Sequence, residues 1–157
     1  MLDDQVNIVP KEFAFLKSQF GFQVVSSWEL PSVRSAMAPR IAGALPRTFG
    51  DAENVLASND FRVRFIRDRG DLYVDICPAR EAGDEWHTVQ LVRALILQSD
   101  PAEDPTLAEL AGFLKEHFAL IKELFILPNI ETTNAKLEYL RRDRIKKMFP
   151  GGVIEEE

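Results

Sequence analysis

The stretch from Phe61 to Ile76 constrains this chain more than any other. Phe61, Val63 and Phe65 alternate with Arg62 and Arg64, and Leu72, Val74 and Ile76 alternate with Tyr73, Asp75 and Cys77. Side chains of a strand point to opposite faces in turn, so each run reads as a strand with one apolar face. Arg69-Gly70 lies between the runs and has turn chemistry. The apolar residues of both runs share a face only if that turn holds an even number of residues. A two-residue Arg69-Gly70 turn places Phe65 opposite Val74 and Arg64 opposite Asp75. A slip by one residue would turn the arginines into the core, so the register is tightly specified. Alternation of this kind implies an antiparallel sheet with one face covered and the other wetter.

The flanking segments supply what covers that face. Pro10 suits a first helical turn, Phe13, Leu16 and Phe20 share one helical side, and Gly21 supplies a left-handed stop. Phe22 to Leu30 reads as a strand. Residues 31–50, broken by Pro31, Pro39 and Pro46, read as a mobile connector or a small helix. Asn54 to Ser58 is a short strand, followed by an Asn59-Asp60 turn. Beyond Cys77 the pattern turns helical. One helix is expected over Glu85–Ser99 with Asp84 as its cap. Thr106 and Glu109 form a capping box for a second helix, which carries Leu107, Leu110, Leu114, Phe118, Ile121 and Phe125 in one stripe and is stopped by Pro128. A last helix is expected over Thr133–Phe149, and residues 151–157 form an acidic, flexible tail. Strands in one run and helices in another read as an α+β fold. The expectation is an N-terminal helix, a mainly antiparallel four-stranded sheet and C-terminal helices packed on one sheet face, in a single globular domain over 1–150.

Composition narrows the chemistry. The chain has 157 residues, 46% of them hydrophobic, and a net charge of −6, which disfavours a general polyanion binder. Its single cysteine, Cys77, excludes an intrachain disulfide and a multi-cysteine zinc site. No apolar run reaches the ~20 residues of a membrane helix. The acidic N-terminus lacks a secretory pattern, so a cytoplasmic location is the default expectation.

None of the common phosphate-loop, dinucleotide, nucleophile-elbow or zincin motifs occurs. No catalytic residue, metal site or cofactor is therefore assigned, and the reading leans away from an enzyme. His117 falls within the stripe of the best helix, and His87 follows Trp86 at an expected helix start. Trp86 and His87 are candidates for a pocket rim, against the simpler reading of Trp86 as a packing anchor and His87 as a solvated side chain. A Cys77–His87 pair is the one nucleophilic arrangement the spacing allows, against the ordinary reading of an inert strand cysteine. The strongest candidate surface is the second sheet face, where Arg62, Arg64, Tyr73 and Asp75 come together. Arginine and tyrosine are the residue types that anchor protein interfaces, and a plain Arg64–Asp75 register pair is the simpler alternative. The last helix carries Lys136, Arg141, Arg142, Arg144, Lys146 and Lys147 against Glu138 and Asp143, a surplus of four positive charges, so the rest of the chain carries −10. Arg141 and Arg142 are secondary candidates for an acidic partner or nucleic acid, with pairing inside the molecule as the ordinary explanation.

Phe13-Ala14-Phe15-Leu16 with Phe20-Gly21-Phe22 resembles the opening of small bacterial helix-plus-meander proteins. The run Phe61-Arg62-Val63-Arg64-Phe65-Ile66-Arg67-Asp68-Arg69-Gly70, with Tyr73-Val74-Asp75-Ile76, looks like their central hairpin. Some of these proteins resemble immunity proteins, which bind toxins. The resemblance covers the first half of the chain and rests on packing and turn residues.

The functional expectation is a non-enzymatic bacterial protein-binding module, immunity-like in kind, with another protein as partner and no membrane. Self-association through the C-terminal helix is a further expectation. The alternatives are a small-molecule binder or small enzyme with a pocket between sheet and helices, and a nucleic-acid accessory protein using the basic helix, of which the nucleic-acid reading is the less favoured.

Overall fold

A computed structural model describes residues 6–29 and 51–151. The expected connector at 31–50 and the tail residues beyond 151 lie outside the described residues. The fold is α+β. Its strands are β1 (Gln23–Glu29), β2 (Ala52–Ala57), β3 (Phe61–Asp68), β4 (Asp71–Pro78) and β5 (His87–Thr88). Its helices are α1 (Phe15–Ser18), α2 (Val89–Leu97), α3 (Leu107–Glu116), α4 (Phe118–Leu124) and α5 (Leu127–Met148), with short 3-10 turns at Lys11–Phe13 and Arg80–Ala82. The strands pair in chain order, β1-β2-β3-β4-β5, and every pair is antiparallel. No described helix is long and apolar enough to cross a membrane.

The hairpin has the expected register: Phe65 faces Val74 and Arg64 faces Asp75. Arg69 and Gly70 both adopt positive φ, 54° and 85°. That is the backbone of a two-residue hairpin turn whose twist matches its strands. Between β2 and β3, the Ser58 hydroxyl accepts the Asp60 N–H at 3.1 Å and so shapes the turn. In β1 the ladder shifts between Val24 and Ser26, so Val25 is an extra, exposed residue at the sheet edge.

One sheet face builds the core. Leu56, Phe61, Val63, Phe65, Val74 and Ile76 pack in a single cluster with side chains of the helices, including Leu16, Val92, Leu114, Ile121 and Leu137. Phenylalanines knit it together. Phe13 meets Phe65 edge-on at 5.0 Å, Phe22 meets Phe61 at 5.3 Å, and Phe20 stacks flat on Phe118 at 3.8 Å. Each large buried side chain of this kind stabilises the fold by ~1.5–3 kcal/mol. A polar residue also enters this face: buried Asn54 bonds the Val6 carbonyl, the Ser27 hydroxyl and the Ile8 N–H, and so ties the N-terminal segment across the sheet.

Four expectations are corrected. Among the described residues the sheet has five strands, because His87–Thr88 pairs with β4. Two residues are too short to show a strand period. The helix expected from Glu85 therefore begins at Val89, and Asp84 caps nothing: it is drawn to Arg62 instead. The long stripe helix is broken at His117 (φ −106°, ψ 20°) into α3 and α4. Pro128 opens α5 rather than stopping the helix before it. Proline fits the first turn of a helix, where its missing N–H leaves no bond unmade. The α4–α5 corner is closed by side chains: the Thr133 hydroxyl donates to the Leu124 carbonyl at 2.7 Å and the Asn129 amide to the Glu123 carbonyl at 2.9 Å. The Thr106 cap is present, accepting the Glu109 N–H at 3.2 Å.

Candidate functional site

The second face of the sheet carries the polar cluster. Residues directly opposite on an antiparallel ladder share a face, so Arg62 with Cys77 and Arg64 with Asp75 form successive rungs on the side away from the core. The segment between β4 and β5 folds back over these rungs as a strap. Arg62 holds it. Its Nε donates to the Pro78 carbonyl at 2.8 Å, and its Nη2 to the Gly83 carbonyl at 2.6 Å, to Asp84 Oδ1 at 2.8 Å and to Cys77 Sγ at 3.0 Å. With these bonds made, Arg62 is only 8% exposed. The guanidinium suits this role because its planar donors can bond several carbonyls in fixed directions.

Arg64 is bound on the next rung. Its Nη2 and Nε both donate to Asp75 Oδ2, at 2.7 and 3.2 Å. Burial pushes the Asp75 carboxyl above its ordinary range, and the hydrogen bond from Arg64 pulls it part of the way back. The indole of Trp86, at the end of the strap, lies over both cations, 4.2 Å from the Arg64 Cζ and 5.5 Å from that of Arg62. Such stacking contributes ~0.5–2 kcal/mol depending on desolvation. Tyr73, one rung further on opposite Ile66, is 48% exposed and stands at the open margin of the cluster.

The structure thus brings together Arg62, Arg64, Asp75 and Trp86, and places Tyr73 beside them. It separates His87. That residue faces Ile76 across the ladder, whereas Cys77 is the next residue of β4 and points to the other side of the sheet. No Cys77–His87 pair is formed. The thiol is buried, bonded by Arg62, and pushed up to about 11 by desolvation. His87 is buried on the helix side, its Nε2 2.9 Å from Asn134 Oδ1 of α5. His117 sits at the α3–α4 break with its ring 5.2 Å from that of Phe113. Sequence reasoning missed Asp84 and Asn134 as partners. The one available signal was the exposed turn Gly83-Asp84-Glu85 before an aromatic.

Three basic residues of α5, Arg141, Arg142 and Lys147, are paired within the molecule. Arg141 bonds both carboxylate oxygens of Glu138, at 2.8 and 2.6 Å, and Arg142 joins at 3.3 Å. Together they pull the Glu138 carboxyl down to about 2. Lys147 bridges Asp100 and Asp143 at 3.2 and 3.4 Å. Shallow grooves among the described residues lie elsewhere. One of about 340 Å³ is lined by Lys11, Phe15, Ala111 and Lys115, and one of about 500 Å³ by Leu95, Ser99, Leu140 and Lys147. Neither includes His87, His117 or Asp75. Among the described residues, no group of three or more His, Cys, Asp or Glu side chains could hold a metal ion.

In comparisons with known proteins, no family model, curated protein or solved structure matches this chain.

Proposed function

We propose that this chain is a non-enzymatic protein-binding module, immunity-like in kind, whose docking face is the outer surface of the sheet around Trp86, Arg64 and Tyr73. The observation that carries the reading is the Arg64–Trp86 stack. Asp75 fixes the guanidinium from one side and the Arg62-anchored strap fixes the indole from the other. Tryptophan, arginine and tyrosine dominate binding hot spots, and groups locked before binding lose little entropy on contact. The rim is acidic, with Glu81, Asp84 and Glu85 all exposed on the strap. That rim and the net charge of −6 favour a basic protein as partner. The resemblance to immunity-like proteins points the same way.

Arg62 is the wrong residue to probe this face, because its removal releases the strap. The test uses Trp86→Ala and Tyr73→Ala. The partner is first recovered by affinity capture from cells that contain this protein, and its affinity is then measured by titration. Each variant is expected to weaken binding by at least about tenfold while circular dichroism stays native. Unchanged affinity in both variants overturns the assignment of this face.

A further inference from the structure

The solvent side of α5 carries a second ordered pattern. Glu131, Ala135, Tyr139, Arg142 and Lys146 recur at three- and four-residue intervals, so they form one stripe along the helix, and Phe149 follows at its C-terminal cap. The buried residues Ile130, Thr133 and Leu137 lie on the opposite side. Tyr139 is 72% and Phe149 62% exposed, so both rings offer apolar area to a second surface. Pro128 and Leu127 are exposed at the other end of the same stripe.

We infer that this stripe is an interface with a second copy of the chain, formed by α5 packing antiparallel on α5 about a two-fold axis between Glu138 and Tyr139. The order of residues along the stripe is self-complementary in that arrangement. A two-fold axis there sets Glu131 against Lys146 of the second copy, Ala135 against Arg142, and Pro128 against Phe149, each contact occurring twice. Arg142 falls between Glu131 and Glu138 of the other helix. The small Ala135 leaves room for the arginine stem, and the exposed Phe149 ring finds Pro128 and Leu127. A parallel pair would set Glu131 against Glu131 and Lys146 against Lys146, which is repulsive along its whole length. The 22-residue helix is roughly 33 Å long and presents a strip ~10 Å wide, so each copy buries ~330 Å². That is under half of the ~800 Å² per partner of a standard interface, so the pair is weak and depends on concentration.

The experiment is sedimentation equilibrium on the full chain from roughly 5 to 500 µM, with charge exchange at one paired position. The wild type is expected to move from monomer towards dimer across that range. Glu131→Lys alone and Lys146→Glu alone are each expected to raise the dissociation constant about tenfold, since each puts like charges together twice. The double exchange is expected to return it to within about twofold of the wild type. A monomer at every concentration overturns the inference. So does a dimer whose dissociation constant ignores the single exchanges, or one that the double exchange fails to restore. Circular dichroism and thermal unfolding of each variant provide the independent readout of folding.

Discussion

The two faces of one hairpin make an informative contrast. Odd-numbered residues of β3 (Phe61, Val63 and Phe65) are fully buried in a phenylalanine-rich core. Even-numbered residues Arg62 and Arg64 face a polar layer of carboxylates, carbonyls and one indole. The same backbone thus serves two kinds of cohesion. The first is non-directional and scales with apolar area removed from water. The second depends on hydrogen-bond geometry, because a buried donor or acceptor left unpaired is expensive. The core face can tolerate a change of shape if volume is kept, whereas the polar face tolerates little change of position.

The largest effect should come from the core face. Phe65→Ala removes a fully buried ring that meets Phe13, and is expected to destabilise the fold by ~3–5 kcal/mol in chemical denaturation. A loss under about 1 kcal/mol would mean that the two faces are not as different as their packing implies. Next comes Arg62→Ala, expected to destabilise by ~2 kcal/mol because the Pro78 and Gly83 carbonyls lose their donor. This variant should also expose Cys77, read as faster alkylation of the native protein. With the thiol held up to about 11, the native wild type should label slowly at mildly alkaline pH. Rapid labelling of the wild type would contradict the closed strap. The smallest effect is the Arg64–Asp75 coupling, expected at ~1 kcal/mol in a double-mutant cycle with Arg64→Gln and Asp75→Asn. A coupling near zero would show that the pair sets register without adding stability.

This contrast also explains what was legible in the sequence. Phe65 opposite Val74 and Arg64 opposite Asp75 follow from period-two alternation and the Arg69-Gly70 turn, and both signals are local. The strap was not legible. Arg62 reaches main-chain carbonyls at Pro78 and Gly83, and backbone acceptors leave no trace in a pattern of side chains. The His87–Thr88 strand is too short for a period, and the helical pattern that begins at Val89 hides it. Pro128 was ambiguous because proline both ends helices and opens them, and only the following side chains of α5, bonded back to the carbonyls of α4, decide between the two. Of the candidate site, the gathering of Arg62, Arg64 and Asp75 was readable from parity. The enclosure of Arg62 and the placement of Trp86 over both arginines were not.

The simple succession β1-β2-β3-β4-β5 sets an order of assembly. The β3–β4 ladder closes across two residues, and β2 joins β3 across a turn scarcely longer, so these pairings need little loop closure. β1 must return across residues 30–51, and β5 must wait for the strap to fold over Arg62. The hairpin that carries both the core phenylalanines and the outer arginines is therefore the natural nucleus. Its alternation gives the sheet an inside and an outside, with the phenylalanines on one and the arginines on the other.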